Sequence, residues 1–136
     1  MANVFLAGSQ PDERSALRLL ISDMHMNVVG ESADWASTLE NAPKTCFDLL
    51  LLDWDLLPQD PQIEIAKLRA ACPDIVSVVL FSHFNSREQA ANSVGADLFI
   101  SKSEMPGRIS EYIKSEAKTI RQKKSLKKYT THSKKN

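Results

Sequence analysis

The chain reads as an α/β domain on a mostly parallel five-stranded sheet, because five short apolar runs alternate with five stretches of helical apolar spacing between Asn3 and Arg121. Parallel neighbours cannot be joined by tight hairpins, so each helix must act as a crossover, right-handed by the usual chirality of such units. Length agrees: 136 residues with 43% hydrophobic content supply one compact core and not two.

Val4-Phe5-Leu6-Ala7 is the first strand, broken by Gly8-Ser9-Gln10-Pro11. Leu17, Leu20, Ile21 and Met24 then recur at i, i+3, i+4 and i+7, the apolar face of a helix. Pro11 suits the first turn, where its missing N–H is not needed, and Asp12 and Glu13 complement the positive end of the dipole. Asn27 to Glu31 is the second strand, and Asp34 to Ala42 a short helix with Trp35 and Leu39 for packing. Phe47 to Leu52 is continuously apolar after Asp48, as a central strand covered on both faces must be, and it ends at Asp53.

Past the loop from Trp54 to Pro61, Ile65, Leu68 and Cys72 form the face of a third helix that Pro73 stops. Ile75 to Phe81 is the fourth strand. Ser86 with Gln89 makes a capping box for a helix through Val94, and Ala96 to Ile100 is the fifth strand. Ile109, Tyr112, Ile113, Ala117 and Ile120 face inward from a last helix begun at Pro106.

The formal charge of zero conceals a segregation. All 17 acidic residues lie at or before Glu116, and 8 of the 17 basic ones follow it, so a body of −8 precedes a tail of +8. Without an apolar period the tail cannot bury enough surface to offset ordering entropy. The domain is therefore expected to span residues 1–121, and residues 122–136 to form a mobile basic tail. Cys46 and Cys72 lack CxxC spacing and histidine companions, and are read as reduced, mostly buried thiols. No apolar run reaches membrane-spanning length and no basic-then-apolar leader opens the chain, so a cytoplasmic protein is expected.

In sheets of this kind, sites form beyond the carboxyl ends of the strands. The candidates there are Gly8 and Ser9 after strand 1, Asp53 after strand 3, Ser82 after strand 4 and Lys102 after strand 5. Asp53 with Lys102 is open to two readings: a structural ion pair, or a phosphoryl acceptor with Lys102 on a phosphoryl oxygen and Ser82 donating to another. No nucleophile with its base, phosphate-cradling glycine loop or Cys/His metal spacing is present, so an independent enzyme is not expected.

Val28-Val29-Gly30-Glu31, the run from Asp48 to Asp53 with Pro58 following, Gly95-Ala96-Asp97, and Lys102 seven residues after Gly95 together resemble the receiver domains of response regulators, the CheY-like fold, and especially the LuxR/NarL class. The resemblance covers residues 3 to about 118. It implies a doubly wound sheet of order 2-1-3-4-5, with three helices on one face and two on the other. It also implies a phosphoacceptor at Asp53, a phosphate-pairing lysine at Lys102 and an aromatic switch at Phe99. The hydroxyl switch falls on Phe81 by counting from Asp53 or by aligning His83, whereas local chemistry favours Ser82.

The departures carry as much information. The family holds magnesium with two acidic residues directly after strand 1, where this chain has Gly8 and Ser9, and magnesium needs carboxylate oxygens. Asp55 and Asp12 are the remaining acidic neighbours. Gln59 replaces the glycine after the loop proline, and one extra residue separates Asp53 from Pro58.

The function expected is an atypical receiver in phosphorelay signalling, a protein-interaction module independent of phosphorylation, with weak or absent magnesium binding. Its partner would be a histidine kinase or another signalling protein, with a homodimer through Phe99, Ser103, Arg108 and Tyr112. One alternative is a conventional receiver phosphorylated on Asp53 by a histidine kinase. The other makes the basic tail a binder of nucleic acid or an acidic protein. Sequence-specific DNA binding is not expected, since no apolar helical pattern follows Ile120.

Overall fold

The computed structural model describes residues 2–83, 90 and 93–134, with side chains as far as Lys124. Five parallel strands, β1 (Asn3–Ala7), β2 (Asn27–Ser32), β3 (Leu49–Asp53), β4 (Ser77–Ser82) and β5 (Leu98–Ser101), form one sheet in the order β2-β1-β3-β4-β5. Four helices occur among the described residues: α1 (Pro11–Asp23), α2 (Trp35–Asn41), α3 (Pro61–Ala71) and α4 (Pro106–Lys134). The capping box at Ser86 and Gln89 lies outside the described residues. Val94, at the end of the stretch expected there, does donate its amide to the Ala90 carbonyl at 3.1 Å.

Side-chain alternation along the strands separates two cores. Phe5, Leu50, Leu52, Val78 and Leu80 pack with Trp35 of α2 and with Ile65 and Leu68 of α3. On the other face, Leu6, Leu49, Leu51, Val79, Phe81 and Ile100 pack with Ile21 of α1 and with Ile113, Ala117 and Ile120 of α4. β3 is buried along its whole length, as its unbroken leucines predict. Gly30 has a steric reason: a Cβ there would stand 2.6 Å from the Phe5 ring on the neighbouring strand. Asp34 caps α2, its Oδ1 accepting from the Ser37 amide at 2.7 Å, while α1 starts on Pro11 and its acidic first turn without a side-chain cap.

One expectation needs correction. Cys46 is exposed, because it sits in the loop before β3, and only Cys72 is buried. Beyond Arg121 the backbone continues as helix to Lys134. Lysine, glutamine and leucine are strong helix formers, and extending a helix already nucleated by its packed first half is easy. Lys123 and Lys124 also lie 3.7 Å from Asp97 Oδ1 and 2.5 Å from Asp48 Oδ1. No described helix is long and apolar enough to cross a membrane.

Candidate functional site

β3 delivers Asp53, and the chain leaving β5 delivers Lys102, at the same end of the sheet. Their side chains meet with Lys102 Nζ 2.5 Å from Asp53 Oδ2, and the two are only 10% and 6% exposed. Asp53 Oδ1 accepts from the Asp55 amide at 2.9 Å, in a 3-10 turn covering Trp54–Leu56. Lys102 Nζ also donates to Glu13 Oε2 at 3.1 Å. Burial alone lowers an ammonium's pKa, but the hydrogen bonds and charges of Asp53 and Glu13 outweigh it, so Lys102 is held above the ordinary lysine value.

Gly8 and Ser9 follow β1 at this end, and Ala7 pairs with Leu52, one residue before Asp53. Neither residue offers a carboxylate. A Cβ on Gly8 would sit 3.8 Å from both Asp53 Cβ and Arg14 Cγ, an ordinary contact. Arg14 donates through Nη1 to the Gly8 carbonyl, and its Nε lies 3.3 Å from Glu31 Oε1 without the alignment of a hydrogen bond. The Arg14 guanidinium is thus anchored on the Gly8 backbone, next to the positions where the resemblance leads one to expect acidic side chains. Among the described residues no three His, Cys, Asp or Glu side chains converge so as to hold a metal ion. Each Asp53 oxygen accepts from one donor, Oδ1 from the Asp55 amide and Oδ2 from Lys102 Nζ.

Asp53 pairs with Phe81, and Phe81 and His83 line a cleft of about 270 Å³ beside Asp53 and Lys102. Ser82, buried at the end of β4, alternates to the opposite face and is not among the lining residues. Its carbonyl does accept from the Lys102 amide at 2.8 Å, which fixes where that lysine starts. Phe99, half-buried, packs on the far face with the α2 and α3 core, as does Trp54. The structure thus brings together Gly8, Asp53 and Lys102, and leaves Ser82 and Phe99 behind the sheet.

Glu13 and Arg14 join the site without having been singled out in the sequence. Glu13 reads there as a dipole complement only. The signal that could have found it is the short turn before Pro11, which brings the first turn of α1 over the strand ends.

No protein-family profile matches the chain, and no curated protein matches it. Solved structures do. An RcsB response regulator from Salmonella typhimurium superposes with a TM-score of 0.76 at 19% identity, covering 87% of this chain and 59% of that one. The isolated REC domain of RcsB from Salmonella enterica serovar Typhimurium, determined with the phosphomimetic BeF3−, gives 0.75 at 20% identity over 86% of this chain and 88% of the other. An RcsB–DNA complex gives 0.75 at 19% identity, with 87% and 61% covered. The chain therefore spans about three fifths of the full regulators and nearly all of the isolated domain. Its sheet order and its similarity to that domain give this chain the fold of a response-regulator receiver, the CheY-like fold.

Proposed function

We propose that this chain is a receiver in two-component signalling that works as a protein-interaction module, with Asp53 and Lys102 serving as a structural pair. The observation that carries the reading is the end of β1, where Gly8 and Ser9 stand beside Asp53 without a carboxylate between them. A phosphoryl group arriving at Asp53 needs its oxygens neutralised, and Lys102 is already shared between two carboxylates. Phe81 offers no hydroxyl in the register position opposite Asp53. Without a metal, several kcal/mol of transition-state stabilisation would be missing, enough to slow transfer by orders of magnitude. Magnesium binding is accordingly proposed to be weak or absent. A cytoplasmic location and a signalling-protein partner, a histidine kinase included, accompany this reading.

The test is treatment with acetyl phosphate and millimolar magnesium, read by intact-protein mass and by Trp54 fluorescence, since Trp54 directly follows Asp53. No adduct and no fluorescence change are expected. A stable adduct lost in Asp53→Asn would establish the conventional receiver instead. The Gly8→Asp, Ser9→Asp double variant is sterically feasible at position 8 and is expected to recover magnesium-dependent quenching. Its failure would move the defect to the loop around Gln59.

Structures of RcsB include dimers bound to DNA. For this chain the reading extends to a symmetric homodimer formed without phosphate through the β5–α4 surface. Arg108 there donates to the Tyr112 hydroxyl at 2.8 Å and lies over its ring at 5.3 Å, a preorganised exposed pair. Sedimentation showing only monomer at all concentrations would remove the dimer.

A further inference from the structure

Resting on that reading, we propose that the cleft between α1 and the start of α4 binds a small organic molecule carrying an apolar ring and an amino group. Leu6, Leu51 and Phe81, all buried on the sheet, form its floor, and Leu17 and Ile109 wall it from the two helices. Its volume is about 270 Å³. A dry apolar cavity of about 150 Å³ admits benzene, so this one has room for a ring with a short substituent. Ligand sites are typically apolar concavities with a few convergent polar groups, and this cleft has that construction.

The departures that weaken phosphoryl chemistry also shape the cleft. Gly8 leaves open the space that a longer side chain would fill, with only ordinary contacts awaiting a Cβ. Phe81, in place of a hydroxyl residue, supplies an aromatic face.

Charge at the rim selects the amine. Glu13, Asp53 and Glu104 face Arg14 and Lys102 there, with His83 alongside. The Lys102 ammonium is held by two carboxylates, and Arg14 serves the Gly8 carbonyl and Glu31. An incoming anion would have to displace a carboxylate from a cation. An ammonium can instead join Glu13, whose side chain is 41% exposed, and gain a charge-assisted hydrogen bond without breaking one inside the pair.

The test is an amide and methyl NMR titration of the full chain with 2-phenylethylamine and, separately, phenylacetate. Saturable shifts at Gly8, Leu51, Phe81 and Ile109 are expected with the amine, with phenylacetate weaker by about tenfold or more. Ala16→Trp, from the α1 wall, and Gly8→Leu, from beside Asp53, are expected to abolish saturation by filling the cleft. Thermal unfolding shows which variant is folded, and a folded one suffices. No saturation at millimolar amine, shifts untouched by a folded filling variant, or tighter binding of phenylacetate would each overturn the proposal. An Asp53 adduct from acetyl phosphate would sink the phosphorylation-independent reading while leaving the amine titration to stand or fall by its own outcome.

Discussion

Both ends of the sheet carry aspartates paired with lysines, and the two ends use them differently. At the amino end, Asp48 Oδ2 accepts from the Asn3 amide at 2.9 Å, and Asp97 Oδ2 accepts from the Val78 amide at 2.8 Å as well as from Arg69 at 2.9 Å. These carboxylates complete the hydrogen bonding of strand starts, and Lys123 and Lys124 approach them from half-exposed positions on α4. At the carboxyl end, Asp53 has one amide and one nearly buried ammonium, and the pair borders a cleft. The contrast teaches that an Asp–Lys contact does not define a site. What distinguishes Asp53 is burial of both partners beside open space, whereas the amino-end carboxylates complete strand starts and their lysines are half-exposed.

Removing Lys102 is the sharpest way to break this comparison. Lys102→Met strands the Asp53 carboxylate and is expected to lower stability by about 3 kcal/mol in urea unfolding. Adding Asp53→Asn is expected to recover more than half of that, because no uncompensated buried charge then remains. A single-variant loss no larger than that of a surface pair would put the two ends on the same footing. The margin also has a pH signature. Since the Lys102 pKa is raised in the folded chain, its contribution is fully present below the unfolded lysine value of about 10.4 and fades as pH climbs through the higher folded value. Unfolding of wild type and Lys102→Met across the alkaline range is expected to show the difference shrinking there and holding steady at neutral pH.

At the amino end, Asp97→Ala leaves the Val78 amide without its acceptor and Arg69 with the Gly95 carbonyl alone, and is expected to cost about 2 kcal/mol. Asp97→Asn, which retains an acceptor, is expected to lose less. Equal losses would mean that charge, not backbone completion, is what matters at strand starts. Lys124→Ala, by contrast, removes a half-exposed partner and is expected to change stability by less than about 1 kcal/mol, with the difference vanishing in high salt. A loss as large as that of Lys102→Met would erase the distinction between the two ends.

The smallest effect is expected on the surface. Hydrogen bonds from Arg18, more than any other cause, hold the Glu31 carboxyl below the usual glutamate range. A carboxyl depressed in this way contributes above its unfolded pKa and loses that contribution as pH falls. Any stability gap between wild type and Arg18→Ala is thus expected to close in acid, as thermal unfolding at neutral and acidic pH would reveal.

The order of strands and helices was legible in the chain because apolar period, prolines and caps act locally. Pro11, Asp34, Pro61 and Pro106 stand at helix starts, and the leucines before Asp53 could only be a doubly covered strand. Asp53 and Lys102 were legible as strand-end residues for the same reason. Which face Phe81 and Ser82 occupy was not, since strands alternate with period two and a shift of one residue exchanges the faces. Only the pairing of Asp53 with Phe81 decided it. The contacts of Lys102 with Glu13, and of Lys124 with Asp48, likewise join residues far apart in the chain. Periodicity carries no information about such pairs, and packing of α1 and α4 onto one face of the sheet alone brought them together.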